Sequence, residues 1–217
     1  QALTEEDCGR LRFTCPVSTG DRMVSELLTS FAALCPGVEV ELNFTNQMVD
    51  MSQGENDIAL RAMSEVPDNL VALPLGRLKD VVVASPALVA REGYPATPYE
   101  LSGRSCLLQG HNPAWEQWHF IREGEEAHIL VQGKVRANHY STVLQLARAG
   151  MGYAKCPLML VESQLTAGEL VTVLDEWQSG LHQLHVLHAQ QRRVPRKLRL
   201  FKQVLAQWFA ERPHYLL

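Results

Sequence analysis

A change of hydrophobic period near the start of the chain restricts the fold more than any other feature. Leu11-Arg12-Phe13-Thr14-Cys15 alternates apolar and polar residues, the pattern of a half-buried strand. Pro16 ends it. Ser18 and Thr19 then stand as candidate helix N-caps, and Asp21 suits a first helical turn. Val24, Leu27, Leu28, Phe31 and Leu34 recur at helical spacing and predict one buried face, which Pro36-Gly37 terminates. Alternation returns at Val38, Val40, Leu42 and Phe44. Strand, helix and strand in that order, with a helix long enough to cross over, imply two parallel strands and an α/β fold.

The rest of the chain continues in this style. A weak short helix near 49–52 leads to an apolar strand at Ile58-Ala59-Leu60, and 70–85 is strand-rich with a break near Gly76. Pro86 opens a short helix, and Cys106-Leu107-Leu108 reads as a buried strand. Residues 110–134 are hard to assign, because Trp115, Trp118 and Phe120 fit either a short helix or a strand. We favour a strand over 117–121 and another over 129–131. A strand at 135–138, a helix over 141–149 closed by Gly150, a strand at 152–154, a helix from Pro157, a strand at 184–186 and a helix from Pro195 complete the chain. This alternation predicts mostly parallel sheets. The 217 residues suit two lobes of ~100 residues each.

Composition excludes several classes. Hydrophobic residues make up 46%, enough for a core. A net charge of −4 argues against unaided binding to a nucleic-acid backbone. No apolar run reaches the ~18 residues of a membrane span, and residues 1–9 do not read as a signal peptide. Cys8, Cys15, Cys35, Cys106 and Cys156 form an odd set without framework spacing, as expected of reduced thiols in the cytoplasm. The chain opens on Gln1 rather than Met, as expected of a fragment of a longer protein.

Several stretches, in order, resemble one family. Gly9-Arg10-Leu11-Arg12-Phe13 followed by Phe31-Ala32-Ala33-Leu34-Cys35-Pro36-Gly37-Val38-Glu39-Val40 resembles the start of the effector-binding domain of LysR-type transcriptional regulators. Asn56-Asp57-Ile58-Ala59-Leu60-Arg61 is similar to its acidic-apolar strand, and Val83-Ala84-Ser85-Pro86 through Tyr94-Pro95 to its crossover into a second lobe. Asn138 through Pro157 and Gly168-Glu169-Leu170-Val171-Thr172-Val173-Leu174 look like the helix, turn, strand and close of that lobe. The resemblance covers about residues 9–210, and only 110–134 matches loosely. It implies two Rossmann-like lobes joined by two crossover strands, a periplasmic-binding-protein-like (type 2) architecture. Lobe I would be 1–85 with 182–217, and lobe II 86–181. The implied function is sensing of a small, anionic effector in the cleft between lobes, with neither catalysis nor a cofactor. The implied partners are promoter DNA, through an N-terminal helix-turn-helix absent from this sequence, and further copies of the same chain in a dimer or tetramer. There the first helix (21–35) would face the partner's helix at 141–149. No membrane partner is implied.

Candidate ligand contacts follow from strand ends. In parallel α/β sheets ligands bind beyond the carboxyl ends of strands, and a helix N-terminus offers N–H donors and partial positive charge. In the first lobe this selects Pro16, Ser18 and Thr19, then Thr45 and Asn46, then Arg61. In the second it selects Gln109 and His111, Asn138 and His139, and Tyr153. Each has a plainer alternative: Ser18, Thr19 or Asn138 as a helix cap, Arg61 as a solvated charge. His182, His185 and His188 suggest a metal cluster, but strand alternation sends His185 to the opposite face, so no metal site is expected there. The basic run from Arg192 to Lys202 reads as a solvated helix face or a dimer contact. Cys15 and Cys156 near the cleft would suit a redox switch, although only Lys155 stands to lower a thiol pKa. No nucleophile elbow, phosphate loop or metalloprotease motif is present. A solute-binding protein of a transport system is the main alternative reading, and a small-molecule enzyme a third.

Overall fold

The computed structural model describes residues 8–110, 112–180 and 182–217, with Trp115 described by its backbone alone. His111 and the first seven residues therefore lie outside the described residues. The chain forms two compact units, Gln1–Arg77 with His182–Leu216, and Leu78–Leu181 with Leu217. It thus passes between units twice.

The first unit begins with β1 (Cys8–Cys15), α1 (Val17–Leu34), β2 (Gly37–Phe44), β3 (Ile58–Met63) and β4 (Leu70–Arg77). The second holds β5 (Asp80–Ala84), α2 (Pro86–Glu92), β6 (Ser105–Gln109), β7 (Gln117–Arg122), β8 (Glu125–Leu130), β9 (Gln132–Ala137), α3 (Tyr140–Arg148), β10 (Tyr153–Pro157), α4 (Leu158–Thr166) and β11 (Val171–Val173). The chain then returns to the first unit as β12 (Gln183–Ala189) and α5 (Arg196–Ala210).

The first sheet has the order β2-β1-β3-β12-β4. β1 runs parallel to β2 and β3, whereas β12 is antiparallel to β3 and β4. The second sheet, β11-β5-β10-β6-β9, mirrors this mixture: β6 is parallel to β10 and β9, and β5 antiparallel to β10 and β11. The expectation of mostly parallel sheets is therefore corrected. Alternating elements do imply crossovers, but β5 and β12 follow the two passages between units and enter their sheets in reverse. A related correction concerns residues 78–85, assigned by sequence to the first lobe. β5 pairs with β10 and β11, which places this stretch in the second unit.

Alternation along β1 builds the first core. Leu11, Phe13 and Cys15 are buried, as are Met23, Leu27 and Phe31 of α1. Phe201 of α5 packs 5.0 Å from both Phe13 and Phe31, centroid to centroid. Each such side chain contributes about 1.5–3 kcal/mol by leaving water, so Phe201→Ala would open the centre of this core. The buried line of α1 is Thr19, Gly20, Met23, Leu27 and Phe31. Val24 and Leu28, expected inside, are half-buried on its flank, and Leu34 is 48% exposed. The cap assignment also shifts. α1 starts at Val17 with Pro16 in the cap position and no side-chain cap, so Ser18 and Thr19 lie inside the first turn. Proline's fixed φ suits the entry to a helix, and its missing N–H costs nothing there.

In the second unit both faces of the sheet are covered. Tyr153 joins Trp118, Phe120, Leu108 and Trp177 on one face. Ala154 and Cys156, at the alternate positions of β10, join Val83, Leu107, Val143 and Ala147 on the other. No helix of the described residues is long and apolar enough to cross a membrane.

Candidate functional site

The carboxyl ends of β1, β2 and β3 meet at one edge of the first sheet. Cys15 pairs with Phe44, and the Thr45 N–H donates to the Cys15 carbonyl at 2.9 Å, so Thr45 and Asn46 lie level with Pro16 and Val17. Asn46 Oδ1 accepts the Val17 N–H at 3.0 Å. One donor of the α1 first turn is thereby satisfied from outside the helix. The N–H groups of Ser18 and Thr19 have no acceptor within a helix, as is general for a first turn. Thr45 Oγ1 accepts from the Gln47 N–H at 3.2 Å and shapes the following loop.

Arg61 occupies the same edge. Thr14 pairs with Ala59, which brings Arg61, two residues on, level with Pro16 and onto the face of the sheet that carries Thr14. The Arg61 guanidinium donates to Thr14 Oγ1 at 2.9 Å and to its neighbour's carbonyl, Leu60 O, at 3.3 Å. The residue is 6% exposed. Among the described residues no carboxylate lies within ion-pair distance of it. Burial holds its pKa below the ordinary guanidinium value, with the Cys15 thiol acting weakly in the other direction. The reading of Arg61 as a solvated charge is thus overturned: the side chain is buried and bonded to Thr14. Across the antiparallel pair Arg61 faces His185, and His185 Nδ1 is buried without a hydrogen-bond partner. A cation without an anion and an imidazole nitrogen without a partner therefore leave the same face side by side.

Arg12 makes the contrast clear. Two residues before Thr14, its guanidinium bonds Asp57 at 3.0 and 3.3 Å, and its N–H donates to the same carboxylate at 2.7 Å. That pair is complete and structural. Arg61 is the buried cation of this sheet whose charge the described chain leaves unbalanced.

In the second unit the equivalent edge carries Gln109, Asn138 and His139. Gln109 pairs with Ala137, and the Gly110 N–H donates to the Ala137 carbonyl at 2.7 Å. His139 rather than Asn138 takes the cap position of α3, with no side-chain cap bond. Tyr153 does not join them. It pairs with Cys106 near the start of β6, at the opposite edge of the sheet. Its ring is fully buried and its hydroxyl lies 2.6 Å from an Arg104 guanidinium nitrogen. The ligand role expected of Tyr153 is corrected on that ground: parallel pairing of β10 with β6 carries the carboxyl end of β10 to Cys156-Pro157. There Pro157 caps α4 as Pro16 caps α1, each proline following a buried cysteine. His111 lies outside the described residues.

The supposed histidine cluster dissolves. His182 precedes β12, and His185 and His188 leave opposite faces of it, as alternation predicts. The thiols are poor redox candidates. Burial pushes Cys15 up to about 12 and Cys156 higher still, and Lys155 is paired with Asp80 at 3.5 Å. The residue that sequence reading missed is His185. Its spacing to His182 and His188 was visible, but its pairing with Arg61 depends on strand register between distant segments.

Known proteins converge on one description. The family model described as the LysR substrate binding domain matches residues 4–210. The "Probable HTH-type transcriptional regulator LtrA" of Klebsiella pneumoniae is 30% identical over 194 residues, covering 88% of this chain and 63% of that protein. The HTH-type transcriptional regulator PtxR of Pseudomonas aeruginosa is 28% identical over 217 residues, covering 99% of this chain and 69% of the relative. This chain thus spans under two thirds of LtrA's length. Among solved structures, the full-length Vibrio cholerae virulence activator AphB superposes with a TM-score of 0.79 at 27% identity, over 93% of this chain and 69% of that one. The CrgA regulatory domain of Neisseria meningitidis gives 0.82 at 22% identity, over 93% and 98%, a likeness of fold alone.

Proposed function

Since the chain belongs to the LysR substrate-binding domain family, we propose that it senses a small anionic effector, with Arg61 as its principal charged contact. The observation that carries this reading is the buried, unbalanced Arg61 guanidinium, level with Pro16 just beyond the carboxyl end of β1. An isolated buried cation costs several kcal/mol, and a carboxylate in hydrogen-bond reach offsets that cost. The Ser18 and Thr19 N–H groups and hydroxyls supply further donors, with Pro16, Thr45 and Asn46 shaping the edge. His185 Nδ1 adds a polar atom that a ligand would satisfy. Gln109, Asn138 and His139 are proposed as ligand contacts of the second unit.

The whole regulator of which this domain is part would bind promoter DNA through a helix-turn-helix segment not present in this chain. It would act in the cytoplasm without catalysing a reaction or needing a cofactor. Pairing with a second copy through α1 and α3 is supported by the apolar flank of α1 at Val24, Leu28 and Leu34. The transport-protein alternative is not favoured, because the relatives are transcriptional regulators.

The test combines a thermal-shift screen of small carboxylates with Arg61→Met. A ligand at a hundredfold excess over its Kd stabilises by about 2.7 kcal/mol. The variant should lose about 2–5 kcal/mol of binding free energy for the selected anion. Without ligand it should be as stable as the parent or more so, because a costly buried charge is gone. Ser18→Ala with Thr19→Ala should also weaken binding. A folded Arg61→Met variant with unchanged affinity would remove Arg61 from the site.

A further inference from the structure

β7 and β8 form a hairpin closed by Glu123 and Gly124, both at positive φ (50° and 87°), the two-residue turn whose twist matches that of the strands. This turn sets the register. His119 falls directly opposite His128, and Glu126, two residues before His128, shares their face. The opposite face, carrying Trp118, Phe120, Ala127 and Ile129, is buried in the core.

Three potential ligand groups are thereby gathered at one point. Glu126 Oε2 lies 3.4 Å from His119 Nε2 and 3.5 Å from His128 Nε2. One ligand atom from each residue lies within 4.8 Å of the others. The two imidazole rings sit 4.3 Å apart, tilted by 32°. Metal–ligand bonds of about 2.0–2.2 Å in a tetrahedral site place neighbouring ligand atoms about 3.4 Å apart. Both nitrogen–oxygen separations are already at that spacing. Among the described residues no lysine or arginine pairs with Glu126. The nearby Arg122 is taken up by Glu125 and Glu176 and lies over the Trp177 ring at 4.3 Å.

The hairpin is also held in place. Ile121 exchanges both backbone hydrogen bonds with Gln178 at 2.8 Å, and Ser179 Oγ donates to the His119 carbonyl at 2.8 Å. The His119 side chain is 8% exposed, whereas those of Glu126 and His128 are 61% and 51% exposed. One ligand is thus fixed and two are open to incoming ions.

We propose that His119, Glu126 and His128 bind one divalent transition-metal ion of the Zn²⁺ class. Two imidazoles and a carboxylate suit Zn²⁺, with water completing four-coordination. The site belongs to the second unit alone and is independent of the effector reading.

Calorimetric titration of the metal-free 217-residue chain with Zn²⁺, and visible absorption with Co²⁺ as a spectroscopic substitute, test it directly. The expected result is one saturable equivalent and the intense absorption of tetrahedral Co²⁺. His128→Ala and Glu126→Gln alter exposed side chains and should leave the fold intact. Each should weaken binding by about a hundredfold or more, because loss even of an outer-shell partner costs ten- to a hundredfold. Absence of a saturable equivalent, or equal affinity in the parent and both folded variants, would overturn the proposal.

Discussion

The Lys202 ammonium sits 3.1 Å from Nε2 of His188, whose Nδ1 lies 2.8 Å from the Ala189 carbonyl. A carbonyl only accepts, so Nδ1 carries the proton and Nε2 is left to accept from Lys202. His188 is therefore neutral in the folded chain. Burial lowers its pKa below the ordinary 6.5, and the Lys202 charge works in the same direction against the opposing Ala189 bond. Burial lowers Lys202 as well.

A pH dependence with a defined sign follows. Between 6.5 and the lower folded value, the unfolded chain binds the His188 proton and the folded chain does not. Stability then rises with pH through that window. The His188 contribution is fully present above 6.5 and is lost as pH falls towards the folded pKa. His188→Gln keeps a neutral acceptor for Lys202 and removes the titration. Urea midpoints measured from about pH 5 to 7 should fall less steeply with acid in the variant. Parallel curves would rule out His188 as the titrating group.

Gly133 tests the packing of the second sheet. A Cβ built there would collide with the Cys106 carbonyl oxygen, a backbone atom that cannot swing aside. The close approach coincides with the register shift between Ser105 and Leu107 where β6 meets β9. Gly133→Ala should cost at least about 2 kcal/mol. Gly103→Ala, with nothing within 4 Å and an ordinary φ, should change stability little. Equal denaturation midpoints for the two variants would contradict this account of β6 and β9.

Thiol accessibility gives a third check. Cys15, Cys35, Cys106 and Cys156 are buried, and only Cys8 is partly exposed. Burial pushes Cys15 and Cys106 up to about 12, so neither holds useful thiolate near neutrality. Ellman's reagent at about pH 8 should find one fast thiol in the native chain and all five after unfolding. Two or more fast native thiols would be incompatible with these burials.

Local patterns carried much of the fold. Alternation at Leu11–Cys15 and helical spacing through Phe31 located β1 and α1 to within a few residues. The favoured strand at 117–121 is β7. What sequence patterns missed depends on pairing between distant segments. Nothing local to 80–84 or 183–189 indicates that these strands enter their sheets antiparallel. Tyr153 was selected as a strand-end residue, yet pairing with Cys106 seats it at the far edge. Arg61 was legible as a candidate because it ends an apolar strand. Its neighbour His185 comes from β12, supplied more than a hundred positions later. His119, Glu126 and His128 were passed over for a related reason: their spacing means little until a two-residue turn sets the hairpin register. Thr19 was noted for its hydroxyl, yet it falls on the buried line of α1 with Met23, Leu27 and Phe31.

The place of β12 between β3 and β4 sets an order on synthesis. While the ribosome is still making the second unit, β3 has an open edge and β4 has no partner, because the strand that joins them is encoded after both. The second unit, contiguous but for its last residue, can mature first. The first must wait for the tail of the chain, holding an unpaired apolar edge throughout, so its assembly is the slow and aggregation-exposed step in the birth of this molecule.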